Sequence, residues 1–307
     1  MSDDLVRAEQ ALHSLLGETI PAVAAIGRYL AESGGKRLRP MLTALGAKAA
    51  GNSRDITRLM CAGEMLHLGS LLHDDVVDDG IERRGRPAAQ RVYGNAAVIL
   101  TGDVCVSKAL ALAAEEAGLQ AVTRLAQTVA EMSEGEVTQL LNAGNLELDR
   151  SVYFDVVDKK SASLMAWCVA AGAWAIENER KATALERFGR HVGTAFQITD
   201  DVLDCTGNVA TTGKKRGRDL EQRKLTLPLL LTVEKDARVG KWLQEPMAPE
   251  NVNRILSAVE TSGSASEALL LAREHVAEGI ASLAVLEDSE AKSALMHLAH
   301  HLVERVS

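Results

Sequence analysis

The segment LLHDDVVDDG, residues 71–80, sets four aspartates within six positions directly behind an apolar run. Carboxylates this close repel one another, and at the C-terminal end of a helix they also oppose the macrodipole. The arrangement costs stability unless a cation compensates, so the segment reads as a core helix that ends in a charged binding surface. The pattern occurs twice: Asp74-Asp75-Val76-Val77-Asp78 is matched by Asp200-Asp201-Val202-Leu203-Asp204, again at the end of an apolar helical stretch. Residues i and i+4 share a helix face, which pairs Asp74 with Asp78 and Asp200 with Asp204. A single DDxxD reads more readily as a solvated acidic helix end. Two of them, each fed by an apolar helix, point to a hard metal ion held by oxygen, and Mg²⁺ is the usual ion where phosphate completes its shell. The DxDxDG alternation and closing Glu of an EF-hand are missing.

Working outward, the remainder of the chain reads as helix. Apolar residues recur at i, i+3, i+4 and i+7, and alternating β-branched runs with two-residue hairpin turns do not occur. Leu119 to Leu141 is one such helix, with Leu125, Val129, Met132, Val137 and Leu141 near one face. Gly34-Gly35 break the N-terminal helices, and Pro40 suits the opening of the next, where its missing N–H costs nothing. Polar loops are expected at 80–95 and 206–223, and further helices at 225–235, 251–260, 266–286 and 289–306. No Pro- or Ser-rich linker and no repeat of 20 to 50 residues divides the sequence. The expectation is one all-α domain over 1–307.

The 307 residues are 47% hydrophobic and 25% charged, with a net charge of −8. That is a globular composition, and its acidity argues against a general nucleic-acid surface. The start, MSDDLVRAEQ, lacks the basic-then-apolar order of a signal peptide, and the apolar run Leu164 to Ile176 falls short of the roughly 20 residues needed to cross a bilayer. A cytoplasmic protein without a transmembrane segment is expected. Cys61, Cys105, Cys168 and Cys205 have no CxxC or zinc spacing and read as small core residues. Aromatic residues are only 3%, so leucine, alanine and valine must fill the core.

A metal that keeps few protein ligands needs phosphate nearby, and phosphate needs cations. GGKRLRP (34–40) offers Lys36, Arg37 and Arg39; ERRGRP (82–87) offers Arg83, Arg84 and Arg86; GKKRGRDLEQRK (213–224) offers Lys214, Lys215 and Lys224. Each cluster alone is more often a solvated patch. Three together, two of them immediately downstream of carboxylate pairs, describe a diphosphate site.

These residues carry a resemblance. In order and spacing, GGKRLRP, HLGSLLHDDVVDD, RRGRP, GNAAVILTGD, the KSASL segment at 160–164, FQITDDVLD and GKKRGRDLEQRKLTLP are similar to the trans-isoprenyl (polyprenyl) diphosphate synthases, from about Gly34 to Arg305. The resemblance implies an antiparallel helical bundle of the isoprenoid synthase type around a deep central cavity, the two aspartate motifs facing each other at its mouth, and a homodimer. It also implies roles. Lys36, Arg39, His67 and Arg84 hold the diphosphate of isopentenyl diphosphate. Asp74, Asp78, Asp200 and Asp204 hold Mg²⁺ on the allylic diphosphate, and Arg83, Lys160, Lys214 and Lys224 bind that same group. Ser161 and Gln197 lie near the forming cation. The four metal-binding aspartates with Lys160 and Lys224 form the catalytic set. Without the resemblance His67 would read as a core histidine on an apolar face. Ser161 stands where threonine is commoner, and Arg223 where the family usually has glycine.

The implied reaction is chain elongation: charge on the departing diphosphate is neutralised, the allylic C–O bond ionises, and the double bond of isopentenyl diphosphate attacks. A terpene cyclase would carry an Asn/Ser/Glu-type second site, and a non-catalytic synthase subunit would have lost motif residues; this sequence does neither. A helical scaffold that merely binds metal is the bland alternative. Four and five residues before Asp74 stand Ser70 and Gly69, about one turn deeper along the helix. Short-chain members of the family block this level with bulky side chains. Small residues here imply a long product, around heptaprenyl to decaprenyl, with geranylgeranyl as the alternative and transient membrane contact on product release. Gly69 and Ser70 serving only close helix packing is the competing reading.

Overall fold

A computed structural model describes residues 2–146, 149–207 and 216–304. Residue contacts gather the chain into two compact units, Met1–Gln127 with Trp167–Glu186 and Val285–Lys292, and Thr128–Ala166 with Arg187–Ala284 and Ser293–Ser307.

The first unit centres on one helix. α1 (Ser2–Gly17), α2 (Pro21–Ala31) and α3 (Leu38–Ala50) all pack against α4 (Thr57–Val77), whose C-terminal end is the first aspartate motif. α4 is buried on nearly every side over Leu59–Leu66, so its apolar run is a core helix rather than an amphipathic one. α3 begins two residues before Pro40, which still falls in the first turn. The turn before it uses Gly34 and Gly35, at φ 93° and 157°, a region open to glycine. The loop expected at 80–95 contains a two-residue hairpin, β1 (Glu82–Arg83) with β2 (Arg86–Pro87), and a short α5 (Ala89–Tyr93). This is the one strand pairing among the described residues. The arginines of RRGRP ride on it.

α6 (Asn95–Leu141) begins in the first unit and ends in the second. It is long and apolar enough, by length and composition, to cross a membrane, which the expectation based on 164–176 overlooked. Its backbone leaves the helical region at Gly118 (φ 76°, ψ −171°), so the helix expected from Leu119 starts where the path is reset. The apolar face named for it runs from buried Leu125 to Val137 and Leu141, which are 54% and 81% exposed.

In the second unit α7 (Arg150–Val157) runs into a π-helical turn, Asp158–Ala162, and then α8 (Ser163–Trp174), which passes into the first unit at Trp167. α9 (Glu179–Thr206) carries the second aspartate motif at its end. After a short α10 (Arg218–Glu221) come α11 (Leu227–Lys235), α12 (Ala237–Gln244), α13 (Pro249–Thr261), α14 (Ser264–Ser282) and α15 (Glu290–Glu304). Cys205, Leu229, Val239, Ile255 and Val259 share an apolar core there. α12 was not foreseen; Asp236 caps it by accepting the Arg238 N–H at 3.0 Å. All four cysteines are buried, and burial pushes Cys61, Cys105 and Cys168 up to about 12, which leaves inert thiols.

Candidate active site

The first motif ends α4 in a hydrogen-bonded stop. The Asp78 N–H reaches Asp74 O at 2.8 Å, Asp79 N–H reaches Val76 O at 3.2 Å, and Gly80 N–H reaches Asp75 O at 3.1 Å. With Asp79 at φ 47° this is a Schellman ending made with aspartate instead of glycine. Asp74 and Asp78 are half-buried one turn apart, whereas Asp75 is 3% exposed. Asp75 accepts from Arg83 Nε at 2.5 Å and from the Ala89 N–H at 3.4 Å, and Gln90 Nε2 donates to Asp75 O and Gly80 O at 2.6 Å each. The middle aspartate therefore ties the helix to the hairpin. Arg83, expected on substrate, spends its Nε on this brace.

The cations of the first unit converge on His67. Arg39, Arg84, Arg83 and Arg37 are the charges that act on it, and together with burial, the largest cause, they hold its imidazole well below its ordinary value. His67 is neutral at pH 7. Arg37 is accounted for: it pairs with Glu9 at 2.5 Å and with buried Glu64 at 3.0 Å, which anchors the GGKR loop. Arg39 is not so served. Its buried Nε has no hydrogen-bond partner among the described residues, and desolvation lowers its pKa. Arg84 is likewise lowered, by desolvation and then by Arg83 and Arg37, with its backbone at φ 52°. Lys36 is exposed beside them. A desolvated donor within a cluster of like charges calls for an anion.

The second unit repeats the division of labour with other partners. Asp201 is 4% exposed and accepts from Tyr153 OH at 2.7 Å and Gln197 Nε2 at 2.8 Å. Burial and the charges of Asp219 and Asp200 push it up, against those two hydrogen bonds. Gln197 accepts in turn from Ser161 Oγ at 2.7 Å. Gln197 and Ser161, expected to meet substrate, thus form one chain with the buried aspartate. Asp200 and Asp204 are half-buried at the end of α9. Asp204 also receives the Arg218 and Asp219 N–H groups at 3.2 Å each and so caps α10. Lys160 sits in the π turn, where Nζ donates to Gln139 Oε1 at 2.9 Å and pairs with Glu136. The turn fits because its neighbours are glycines: a Cβ on Gly135 would come within 3.1 Å of Lys160 N, and one on Gly193 within 2.5 Å of Ala162 Cα. Lys224 is half-buried, its N–H on Asp219 O at 2.9 Å. Lys214 and Lys215 lie outside the described residues.

The donor sets fit a hard divalent cation. Each motif offers carboxylate oxygen from an outer, half-buried pair one turn apart at a helix end, with the middle carboxylate buried on its own hydrogen bonds. The deeper positions on α4 differ from one another. A Cβ on Gly69 would meet Gly102 O at 2.9 Å and Val106 Cγ2 at 3.1 Å, so Gly69 is required for packing against α6. Ser70 is half-buried and donates to His67 O at 2.9 Å. A polar cleft of about 450 Å³ lined by Asp4, Arg7, Lys48, Arg54 and Asp55 contains neither motif.

Known proteins match this helical chain, with its paired carboxylates at two helix ends and a cationic cluster beside one of them. The polyprenyl synthetase family model matches residues 20–261. The octaprenyl diphosphate synthase of Haemophilus influenzae is 35% identical over 98% of this chain and 94% of its own. A polyprenyl synthase from Caulobacter crescentus, solved with calcium and isoprenyl diphosphate, superposes with a TM-score of 0.94 at 32% identity, covering 100% of this chain and 96% of that one. A decaprenyl diphosphate synthase from Rhodobacter capsulatus gives 0.91 at 31%, covering 100% and 97%. The chain belongs to the polyprenyl synthetase family and is a prenyltransferase with the all-α isoprenoid synthase fold.

Proposed function

We propose that this prenyltransferase condenses isopentenyl diphosphate head-to-tail with an allylic diphosphate, farnesyl or similar, into an all-trans polyprenyl diphosphate of heptaprenyl to decaprenyl length. The observation that carries the reading is the cluster around neutral His67, with Arg39 Nε buried and lacking an acceptor among the described residues. It suits the diphosphate of isopentenyl diphosphate, on Lys36, Arg39, His67 and Arg84. Asp74 with Asp78, and Asp200 with Asp204, are the ligands for Mg²⁺ on the allylic diphosphate; Arg83, Lys160, Lys214 and Lys224 bind that group directly. Bound there, Mg²⁺ supplies Lewis-acid neutralisation of the leaving diphosphate. The protein's own part is electrostatic and spatial: cations fixed before the charge develops, Ser161 and Gln197 oriented by Asp201, and an apolar surrounding that keeps water from the allylic cation.

Octaprenyl and decaprenyl synthases among the relatives support a long product, as does the small side chain of Ser70. The family match runs through both units, which supports one synthase domain over 1–307. Ile99, Leu100 and Leu119 remain exposed on α6, which supports a homodimer, and Leu140 and Leu141 on the same helix suit transient membrane contact as product leaves a cytoplasmic enzyme. The test is incorporation of labelled isopentenyl diphosphate onto farnesyl diphosphate with Mg²⁺, followed by chromatography of the dephosphorylated products. Long products are expected, and Ser70→Phe should shorten them to farnesyl or geranylgeranyl length. No incorporation would refute the function; an unchanged product from folded Ser70→Phe would refute the chain-length role.

A further inference from the structure

Away from both aspartate motifs, the second unit contains a group of side chains that the reaction does not use. His275 and Glu278 lie three residues apart on α14 and so share a face. His191 meets them from α9. The helices come close because of Gly279, where a Cβ would be 3.2 Å from His191 Cβ and 3.4 Å from Phe188 O. His191 Nδ1 lies 3.2 Å from His275 Nδ1 and 3.3 Å from Glu278 Oε2. All three ligand atoms fall within 4.8 Å of one another.

We infer that His191, His275 and Glu278 form a binding site for a borderline divalent transition-metal ion, Zn²⁺ in the first place, which clasps α9 to α14. Tetrahedral zinc with bonds of about 2.0–2.1 Å sets neighbouring ligand atoms roughly 3.3–3.4 Å apart, and the two measured separations fall close to that. Two imidazoles and one carboxylate are a zinc donor set, unlike the all-oxygen motifs that select Mg²⁺. Hydrogen bonding alone serves the group poorly. A proton on His191 Nδ1 cannot point along both short contacts, and a proton on His275 Nδ1 instead turns the His191 lone pair towards a carboxylate. One cation satisfies all three acceptors at once. The surroundings favour it as well: Glu274 and Asp158 add negative charge, while Arg190 is occupied by Asp158 at 2.8 Å and Glu131 at 2.7 Å. Glu278 is 66% exposed, which leaves an entry path and a position for water.

The clasp reaches the second motif through aromatic contacts. The Phe154 ring lies 6.0 Å from His275, and Tyr153, the partner of Asp201, packs edge-on against Phe154 at 5.3 Å. The site depends on neither the substrate assignment nor the product length. To test it, metal-stripped full-length protein is titrated with Zn²⁺ against a competing chromophoric chelator, in excess Mg²⁺ to occupy the aspartates. A Co²⁺ titration reads coordination by the intensity of its visible bands. Expected is one Zn²⁺ per chain, kept in Asp74→Ala and weakened on the order of tenfold or more in His275→Gln and Glu278→Gln, with strong Co²⁺ bands lost in both. Exposed Glu278 keeps the test valid if the histidine variant folds poorly. No Zn²⁺ binding by the unaltered protein, or unchanged affinity in folded His191→Gln, His275→Gln and Glu278→Gln, would overturn the inference.

Discussion

Asp75 and Asp201 occupy the same place in their motifs and both are buried, but a guanidinium holds the first while a phenol and an amide hold the second. A charged brace neutralises its carboxylate, and its loss leaves a buried charge. A neutral brace leaves the carboxylate resisting ionisation, as the upward push on Asp201 records, and its loss removes one hydrogen bond of two. Two motifs with one spelling are thus built into the fold by different physics. The outer aspartates are expected to be equivalent in the reaction; the inner ones should not be equivalent in stability.

The largest effect tests the equivalence. Asp74→Ala and Asp200→Ala should each lower turnover by about 10²–10³, with the fold intact by circular dichroism. Near-normal rates in one of them at saturating Mg²⁺ would break the symmetry. Next comes the contrast between braces, read by chemical denaturation. Arg83→Ala should cost about 3–5 kcal/mol, because it strands Asp75, and Tyr153→Phe about 1–3 kcal/mol. Equal losses would show that the two buried aspartates are held alike.

The smallest effect concerns pH. The folded protein keeps His67 neutral, while in the unfolded chain it takes a proton near 6.5. Below about 6.5 the unfolded state therefore binds more protons, so stability declines as pH falls. His67→Gln should flatten that part of the stability profile, measured by denaturation at successive pH values. An unchanged slope would place the acid sensitivity elsewhere.

The helices and the placement of the outer aspartates one turn apart at helix ends were legible because each rests on local rules, apolar periodicity and i, i+4 geometry. What escaped depends on distant partners. Nothing near Asp75 in sequence announces that Arg83 folds back onto it across a two-residue hairpin, nor does Asp201 reveal Tyr153, 48 positions away. The signal was there in the doubled aspartates, since an i, i+4 pair needs only one from each doublet. Gly69 carried two readings, open space for a growing chain and close helix packing, and the 2.9 Å approach of a Cβ there to Gly102 O supports the packing one; spacing along one helix does not tell which neighbour stands opposite. α12 was missed although Val239 and Leu243 stand at i, i+4 on its buried face, because eight residues give that spacing a single repeat.

The π turn at Asp158–Ala162 has a consequence for how the chain tolerates length change. Such a turn is an α-helix with one residue too many. Removing a single residue there would restore regular winding while the helix beyond keeps its phase, because the wide turn already absorbs the extra residue. The same loss from a regular stretch would instead rotate the helix beyond it by about 100° about its own axis. The local cost of the deletion would fall on the turn itself, where Lys160 and Ser161 are set against Gln139 and Gln197.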